Sequence, residues 1–121
     1  MKDFEKDAAA IILTDPLEIQ PASLAESITE REDLKLYHVA YPAERRFLPS
    51  AHRFCHLIKI EPNSTLWSTD CDTSSGSSGG PLFQMTQQGP LLVAIMIAVG
   101  KYNYALPFTE WKHLIFEQSC F

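Results

Sequence analysis

The features that this chain lacks exclude several classes of protein. Its longest apolar run, residues 91–99, is too short for a transmembrane helix, which needs about 20 residues. The only basic doublet is Arg45-Arg46, and the formal net charge is −5. Because a phosphate-binding surface needs clustered Lys or Arg, nucleic acid is not expected as a partner. The short apolar run likewise gives no reason to expect a membrane as a partner. No Cys-x-x-Cys or histidine-rich spacing occurs, so a zinc site is not expected. No other metal and no cofactor is expected either.

Cysteine is also scarce: the sequence contains three, Cys55, Cys71 and Cys120. An odd number implies at least one free thiol or one intermolecular bond. Cys55 and Cys71 flank a strand-turn-strand pattern and could face each other, but three buried free thiols fit the sequence equally well.

The N-terminal residues carry acidic side chains where a secretory signal would carry positive charge. No signal peptide is therefore recognised. We expect either a cytosolic protein or a chain whose true N-terminus is missing.

The patterning predicts a small all-β fold. A length of 121 residues allows one domain, or a piece of a larger one. Ala8 to Leu13 resembles a strand stopped by Asp15-Pro16, although a helical start is also possible, and Glu18 to Asp33 resembles a connector. Further strands or extended segments are predicted at 34–41, 54–60, 65–69, 81–85, 91–99 and 102–108.

A helix is predicted at the end of the chain. Thr109 is a plausible N-cap, and Trp111, Leu114 and Ile115 form the i, i+3, i+4 stripe of a helix that docks by one face. Several short strands followed by one helix indicate an antiparallel barrel or sandwich.

The stretch DCDTSSGSSGGPLF, residues 70–83, allows two interpretations. Its Ser/Gly composition is typical of a flexible linker. However, it lies between two strands of one apparent sheet, with no room for a separate domain on either side, and this disfavours a linker.

The order of the residues indicates a nucleophile loop. Gly76 permits a sharp turn in which backbone N–H groups converge on one oxygen, and Ser78 presents its hydroxyl at the tip. Gly79 and Gly80 allow close approach of the neighbouring chain, and Pro81 starts the next strand at an edge. The alternative is a serine in an ordinary polar loop.

These residues resemble the C-terminal half of a trypsin/chymotrypsin-like serine protease of the bacterial glutamyl-endopeptidase-like (V8-like) branch. The resemblance is carried by the nucleophile loop and by four further stretches. These are Asp7 to Leu13, Val39-Ala40-Tyr41-Pro42, Val93-Ala94-Ile95 and Asn103 to Pro107.

The resemblance implies a division of the chain and an all-β fold, the second antiparallel β-barrel of a two-barrel protease with a C-terminal helix. Residues 1–20 would be a remnant of the first barrel carrying the triad aspartate. Residues 21–33 would connect the barrels, and residues 34–121 would form the second barrel and the helix. The missing N-terminal barrel would be the partner of this chain.

Catalytic roles follow from the same resemblance. Ser78 would be the nucleophile, and the N–H groups of Gly76 and Ser78 would form the oxyanion hole. Asp7 would orient the base histidine, the alternative being a surface or capping carboxylate.

The family order is His, Asp, Ser, yet all four histidines follow Asp7. They are His38, His52, His56 and His113. Each is expected to be structural or exposed, so the base is expected to lie in a missing first half of the fold. Without a base, the serine is a poor nucleophile at neutral pH.

The resemblance also implies substrate contacts. Asp72 and Thr73 would line the pocket for the substrate residue on the amino side of the cleaved bond, where a carboxylate favours Lys or Arg. Met96 stands where glutamate-specific relatives usually have a histidine, which makes glutamate specificity doubtful and leaves apolar or basic residues. Strand residues Ile97, Ala98 and Val99 would pair with the substrate backbone.

Finally, the resemblance implies a Cys55–Cys71 disulfide and hence a secreted or periplasmic parent protein. The expected function is serine endopeptidase acting on polypeptides through an acyl-enzyme at Ser78, with little or no activity in this chain alone. The alternative is a pseudoprotease or peptide-binding β-module that keeps the cleft without the chemistry.

Overall fold

A computed structural model describes residues 7–25, 34–40, 50–61, 65–71, 77–99 and 103–116. Within these ranges the chain forms seven strands and a helix, in the order β1 Ser23–Leu24, β2 Lys35–Ala40, β3 Ser50–Ile60, β4 Trp67–Thr69, β5 Pro81–Thr86, β6 Gly89–Val99, β7 Asn103–Pro107 and α1 Phe108–Phe116. Most of these bounds lie close to the predicted ones, because alternating apolar residues and turn signals are local properties of the sequence.

Six strands close into an antiparallel barrel. Around the barrel the order is β6-β5-β2-β3-β4-β7, and pairing of β7 with β6 completes the circle. The short strand β1 lies outside the circle and pairs in parallel with β6. This architecture confirms the predicted fold class, an all-β barrel of the chymotrypsin-like kind followed by a C-terminal helix.

The core lies in two clusters. One fills the barrel and includes Leu36, Leu57, Trp67, Leu82 and Met96, all of them almost completely buried. The alternation along β2, in which every second side chain is buried, shows how a period of two directs one face of a strand into the barrel.

The second cluster fixes α1 against the barrel. Phe108 and Trp111 contact each other edge to face, with ring centroids 4.8 Å apart. The indole N–H of Trp111 donates to the carbonyl of Leu106, at 3.1 Å, and Leu66 and Ile97 complete the cluster. The helix is therefore positioned by its first turn, directly after β7.

The predicted disulfide is confirmed. Cys55 on β3 is bonded to Cys71, which follows β4, and the two Cα atoms are 4.8 Å apart. Both cysteines are buried, and the side-chain amide of Asn103 donates to the carbonyl of Cys71. The bond fixes the chain where it leaves β4 toward the Ser/Gly loop. Cys120 lies outside the described residues.

The strand predicted at Ala8 to Leu13 is wrong, as is the alternative helical start. Residues 7–20, which we call the N-terminal strap, form no strand or helix. Within the described part of the chain, the strap pairs with no strand. Its large aliphatic side chains are exposed, among them Ile11 at 85% and Ile19 at 72%.

The predicted connector also contains structure that its polar composition did not indicate. Leu24 of β1 packs on the second cluster, and the buried Ala25 donates its N–H to the carbonyl of Leu92, at 3.3 Å. The strap is therefore anchored to β6 at its C-terminal side.

None of the helices in the described ranges has the length and apolar character needed to cross a membrane.

Candidate functional site

The Ser/Gly loop ends in a tight turn just before β5. Gly79 has φ +84°, in the left-handed region, and the N–H of Gly80 donates to the carbonyl of Ser77, at 3.0 Å. A residue with a Cβ is strained at such a φ, whereas glycine is not. The glycine after Ser78 therefore allows the reversal that leaves the Ser78 side chain exposed at the tip.

Two backbone hydrogen bonds hold this turn on β6. The N–H of Gly79 donates to the carbonyl of Met96 at 2.6 Å, and the N–H of Met96 donates to the carbonyl of Gly80 at 2.9 Å. Because β6 is paired to both β5 and β7, the turn rests on a strand that cannot move independently of the barrel.

The hydroxyl of Ser78 faces an irregularity in β6. In the pairing with β7, Met96 opposes Ala105 and Ala98 opposes Tyr104, so Ile97 is an extra residue. Ser78 Oγ donates to the carbonyl of Ile97, at 3.3 Å. An extra residue bends a strand and redirects its groups, and such bulges are common beside active sites.

Gly80 packs on a buried histidine. His38 on β2 is 2% exposed, and its Nδ1 lies 3.0 Å from the carbonyl oxygen of Pro81. A Cβ added at Gly80 would lie 2.8 Å from both His38 Cε1 and the carbonyl oxygen of Val39. Glycine is therefore required here for close approach, as the order of the loop predicted for it.

A cleft of about 550 Å³ opens beside Ser78 and Gly79. One side is formed by the start of the strap, from Asp7 to Ala10, and another by Ile95, Met96 and Ile97 of β6. Along the strap, Ala8 and Ala10 are half-buried whereas Asp7 and Ala9 are exposed, so alternate side chains turn toward the barrel.

Helix α1 provides the third wall of the cleft, through Trp111, Leu114 and Ile115. The i, i+3, i+4 stripe predicted a docked face, and Trp111 does dock. However, Ile115 is exposed. The sequence could not separate the two roles, because a docking face and a cleft wall both need an apolar stripe.

The cleft brings together four of the residues predicted to form the site. Asp7, Ser78, Met96 and Ile97 all line it, although they are up to 90 positions apart in the sequence. Ala98 and Val99 continue β6, but their side chains lie outside the described residues. Gly76, Asp72 and Thr73 lie wholly outside the described residues. The roles predicted for all of these residues therefore stay predictions.

The described histidine side chains do not line the cleft. His38 lies beneath the turn, and His113 is exposed on α1. His56 pairs with Asp70, whose Oδ1 accepts from the His56 N–H at 2.5 Å and whose Oδ2 lies 3.4 Å from Nδ1. These positions agree with the expectation that each is structural or exposed. The side chain of His52 is outside the described residues.

The acidic and cysteine residues of the described ranges form no group with histidine that could hold a metal ion. What the cleft offers is a serine hydroxyl, a carboxylate at its rim and an apolar wall. Such a set suits binding of a chain with an apolar side chain and, if a base is added, acyl transfer.

No protein-family model matches the chain, and no curated protein matches it.

Proposed function

We propose that this chain is the nucleophile-bearing half of a trypsin-like serine endopeptidase of the V8-like branch. One observation carries the proposal. Ser78, on a glycine-rich turn at the edge of a barrel, and Asp7, at the other end of the sequence, line the same cleft. Their shared position supports the assignment of both motifs to one site.

In the proposed reaction, Ser78 Oγ attacks the carbonyl carbon of the scissile peptide bond and transfers its proton to a histidine base. The C–N bond then breaks, the amine leaves with that proton, and an acyl group remains on Ser78. Water, deprotonated by the same base, releases the acid. Asp7 orients the histidine and stabilises its cation.

In the proposed reaction, the oxyanion is stabilised by the N–H groups of Ser78 and Gly76, of which Gly76 lies outside the described residues. The described part of the loop supports access of substrate to Ser78. Gly79 reverses the chain after Ser78 and directs its own N–H to Met96, which leaves the nucleophile side of the turn open to substrate. The wall formed by β6 and the apolar residues of α1 suits an apolar substrate side chain, and Asp72 would extend the preference to basic ones.

The base, in this proposal, comes from an N-terminal barrel that covers the cleft and the strap. The exposed aliphatic residues of the strap support such a partner, because covering large apolar side chains removes apolar surface from water and is favourable. The Cys55–Cys71 disulfide is compatible with an exported parent protein, since such bonds persist in oxidising compartments.

A second candidate function is binding of peptides without hydrolysis. It is favoured by the hydrogen bond from Ser78 Oγ to the carbonyl of Ile97, which directs the hydroxyl proton at a backbone acceptor. The positions of the described histidine side chains, none of which lines the cleft, also favour binding without hydrolysis.

Fluorophosphonate labelling of the longest natural form of the protein tests the two functions. The reagent requires an activated serine, so mass spectrometry should locate an adduct on Ser78 that the Ser78→Ala variant lacks. Asp7→Asn should slow labelling by several orders of magnitude; the same change in an established triad lowers kcat about 10⁴-fold.

Asp15→Asn is the matched control, because Asp15 is an exposed carboxylate on the strap that does not line the cleft. Its labelling rate should equal that of the unchanged protein. A folded natural form that gives no adduct on Ser78 would rule out the endopeptidase and leave the peptide-binding function.

A further inference from the structure

We propose that His38 is a positioning residue for Ser78, acting through the Gly80-Pro81 backbone. Its importance for reactivity rests on the proposed endopeptidase function. Its effect on the conformation of the turn does not, and the two can be measured separately.

The contact with Pro81 determines which ring nitrogen of His38 carries a proton. A carbonyl oxygen can only accept a hydrogen bond, so at 3.0 Å the Nδ1 atom is the donor. This selects the imidazole form protonated on Nδ1, with the ring held on the inner side of β2, opposite Leu82 of β5.

The imidazole ring also forms the floor of the turn. Its Cε1 atom lies 2.8 Å from the point that a Cβ on Gly80 would occupy, so the Gly80 backbone lies directly on the ring. On the other side, the carbonyl of Gly80 accepts from Met96. The two residues that follow Ser78-Gly79 are therefore held between His38 and β6.

This arrangement links a buried strand to an exposed hydroxyl. Ser78 has little packing of its own, since its side chain is exposed and contacts the carbonyl of Ile97. Its position depends on the backbone to which it is attached, and His38 holds that backbone from inside the barrel. Loss of the Nδ1 donor would leave the Pro81 carbonyl without this partner and loosen the turn.

The first test needs no variant. Long-range ¹H–¹⁵N NMR correlation on the labelled protein at pH 7.5 reports which imidazole nitrogens carry a proton. A proton on Nδ1 of His38 is expected. An unprotonated Nδ1 would overturn the proposal, because it could not donate to Pro81.

The second test compares two amides that place their N–H donors differently. His38→Asn keeps a donor near the position of Nδ1, whereas His38→Gln moves it toward the position of Nε2. Hydrogen exchange at the amides of Gly79 and Met96 should be roughly tenfold faster in His38→Gln than in His38→Asn. Exchange at Glu61, which donates to the carbonyl of Leu66 at 2.8 Å in a distant turn, should be similar in both.

His56→Asn provides a histidine control on the neighbouring strand, and it should leave the Gly79 and Met96 amides unchanged. Equal exchange at those amides in His38→Asn and His38→Gln would overturn the proposal. So would an acceleration at Glu61 as large as that at Gly79, because His38 would then support the barrel as a whole.

The link to reactivity is read from fluorophosphonate labelling of the folded natural form. His38→Gln should slow labelling relative to His38→Asn. If the unchanged protein does not label, the endopeptidase function fails, while the NMR and exchange measurements still decide whether His38 positions the turn.

Discussion

Apolar side chains are buried in the barrel but exposed in the N-terminal strap. In the barrel, residues such as Leu57 and Leu82 are fully buried and every strand is paired on both sides. In the strap, Ile11, Leu17 and Ile19 face solvent and no backbone ladder forms. The free energy of unfolding is therefore determined by the barrel and α1, and hardly at all by the strap.

One side of the cleft belongs to the barrel and another to the strap. The two sides therefore differ in how firmly their backbones are held. Ser78, Met96 and Ile97 belong to a turn and a strand fixed by hydrogen bonds on both sides. Asp7 is exposed and belongs to a segment that contacts the second core cluster mainly through Ala8. The nucleophile side is therefore held by hydrogen bonds of the barrel, whereas the carboxylate side belongs to a segment without strand or helix.

The largest difference between the two regions should appear on truncation of one apolar side chain in each. Phe108→Ala removes a ring that is 1% exposed and should lower the free energy of unfolding by about 4 kcal/mol, because it leaves a cavity against Trp111. Leu17→Ala, at 65% exposure, should change it by less than about 0.5 kcal/mol. Urea denaturation of both variants measures the difference, and similar losses would show that the strap is packed after all.

Removal of the disulfide should have the next largest effect, again confined to the barrel. The bond joins residues 16 positions apart, and opening a loop of that size costs about 3 kcal/mol in the chain-entropy description. The double variant Cys55→Ala, Cys71→Ala should show this loss relative to the disulfide-bonded protein. Both proteins should also carry Cys120→Ala, which prevents thiol exchange. A loss below about 1 kcal/mol in chemical denaturation would contradict the expectation.

The smallest effect distinguishes the turn beside Ser78 from an ordinary hairpin. Gly79 and Gly89 have φ +84° and +109°, and a Cβ added at either would meet no atom within 4 Å. Gly79→Ala and Gly89→Ala should therefore each cost about 1 to 2 kcal/mol of backbone strain.

Only Gly79→Ala should also slow fluorophosphonate labelling of Ser78, since Gly89 lies in the β5–β6 hairpin and does not line the cleft. Equal labelling rates in the two variants would indicate that the conformation of the turn does not control the hydroxyl.

The sequence predicted the barrel well because its signals are local. Alternation marks β2, and an unbroken apolar run marks β6. The pairing of Cys55 with Cys71 came from resemblance, since spacing alone left free thiols equally open.

The same signals failed where structure depends on a neighbour. Ala8 to Leu13 has the composition of a strand, but a strand requires a partner, and this segment pairs with none of the described strands. The burial of His38 could have been predicted, because it lies on the same face of β2 as Leu36 and Ala40. Its contact with Pro81 could not, because that contact depends on where β5 begins.

The short strand β1 makes the strap an intramolecular ligand. Pairing at Ser23–Leu24 with β6 ties the segment to the barrel, so the residues from Asp7 onward are always near the cleft. A short tether of this kind typically corresponds to an effective concentration in the millimolar range. A free peptide with the sequence of the strap would have to be supplied at such concentrations to occupy the same place.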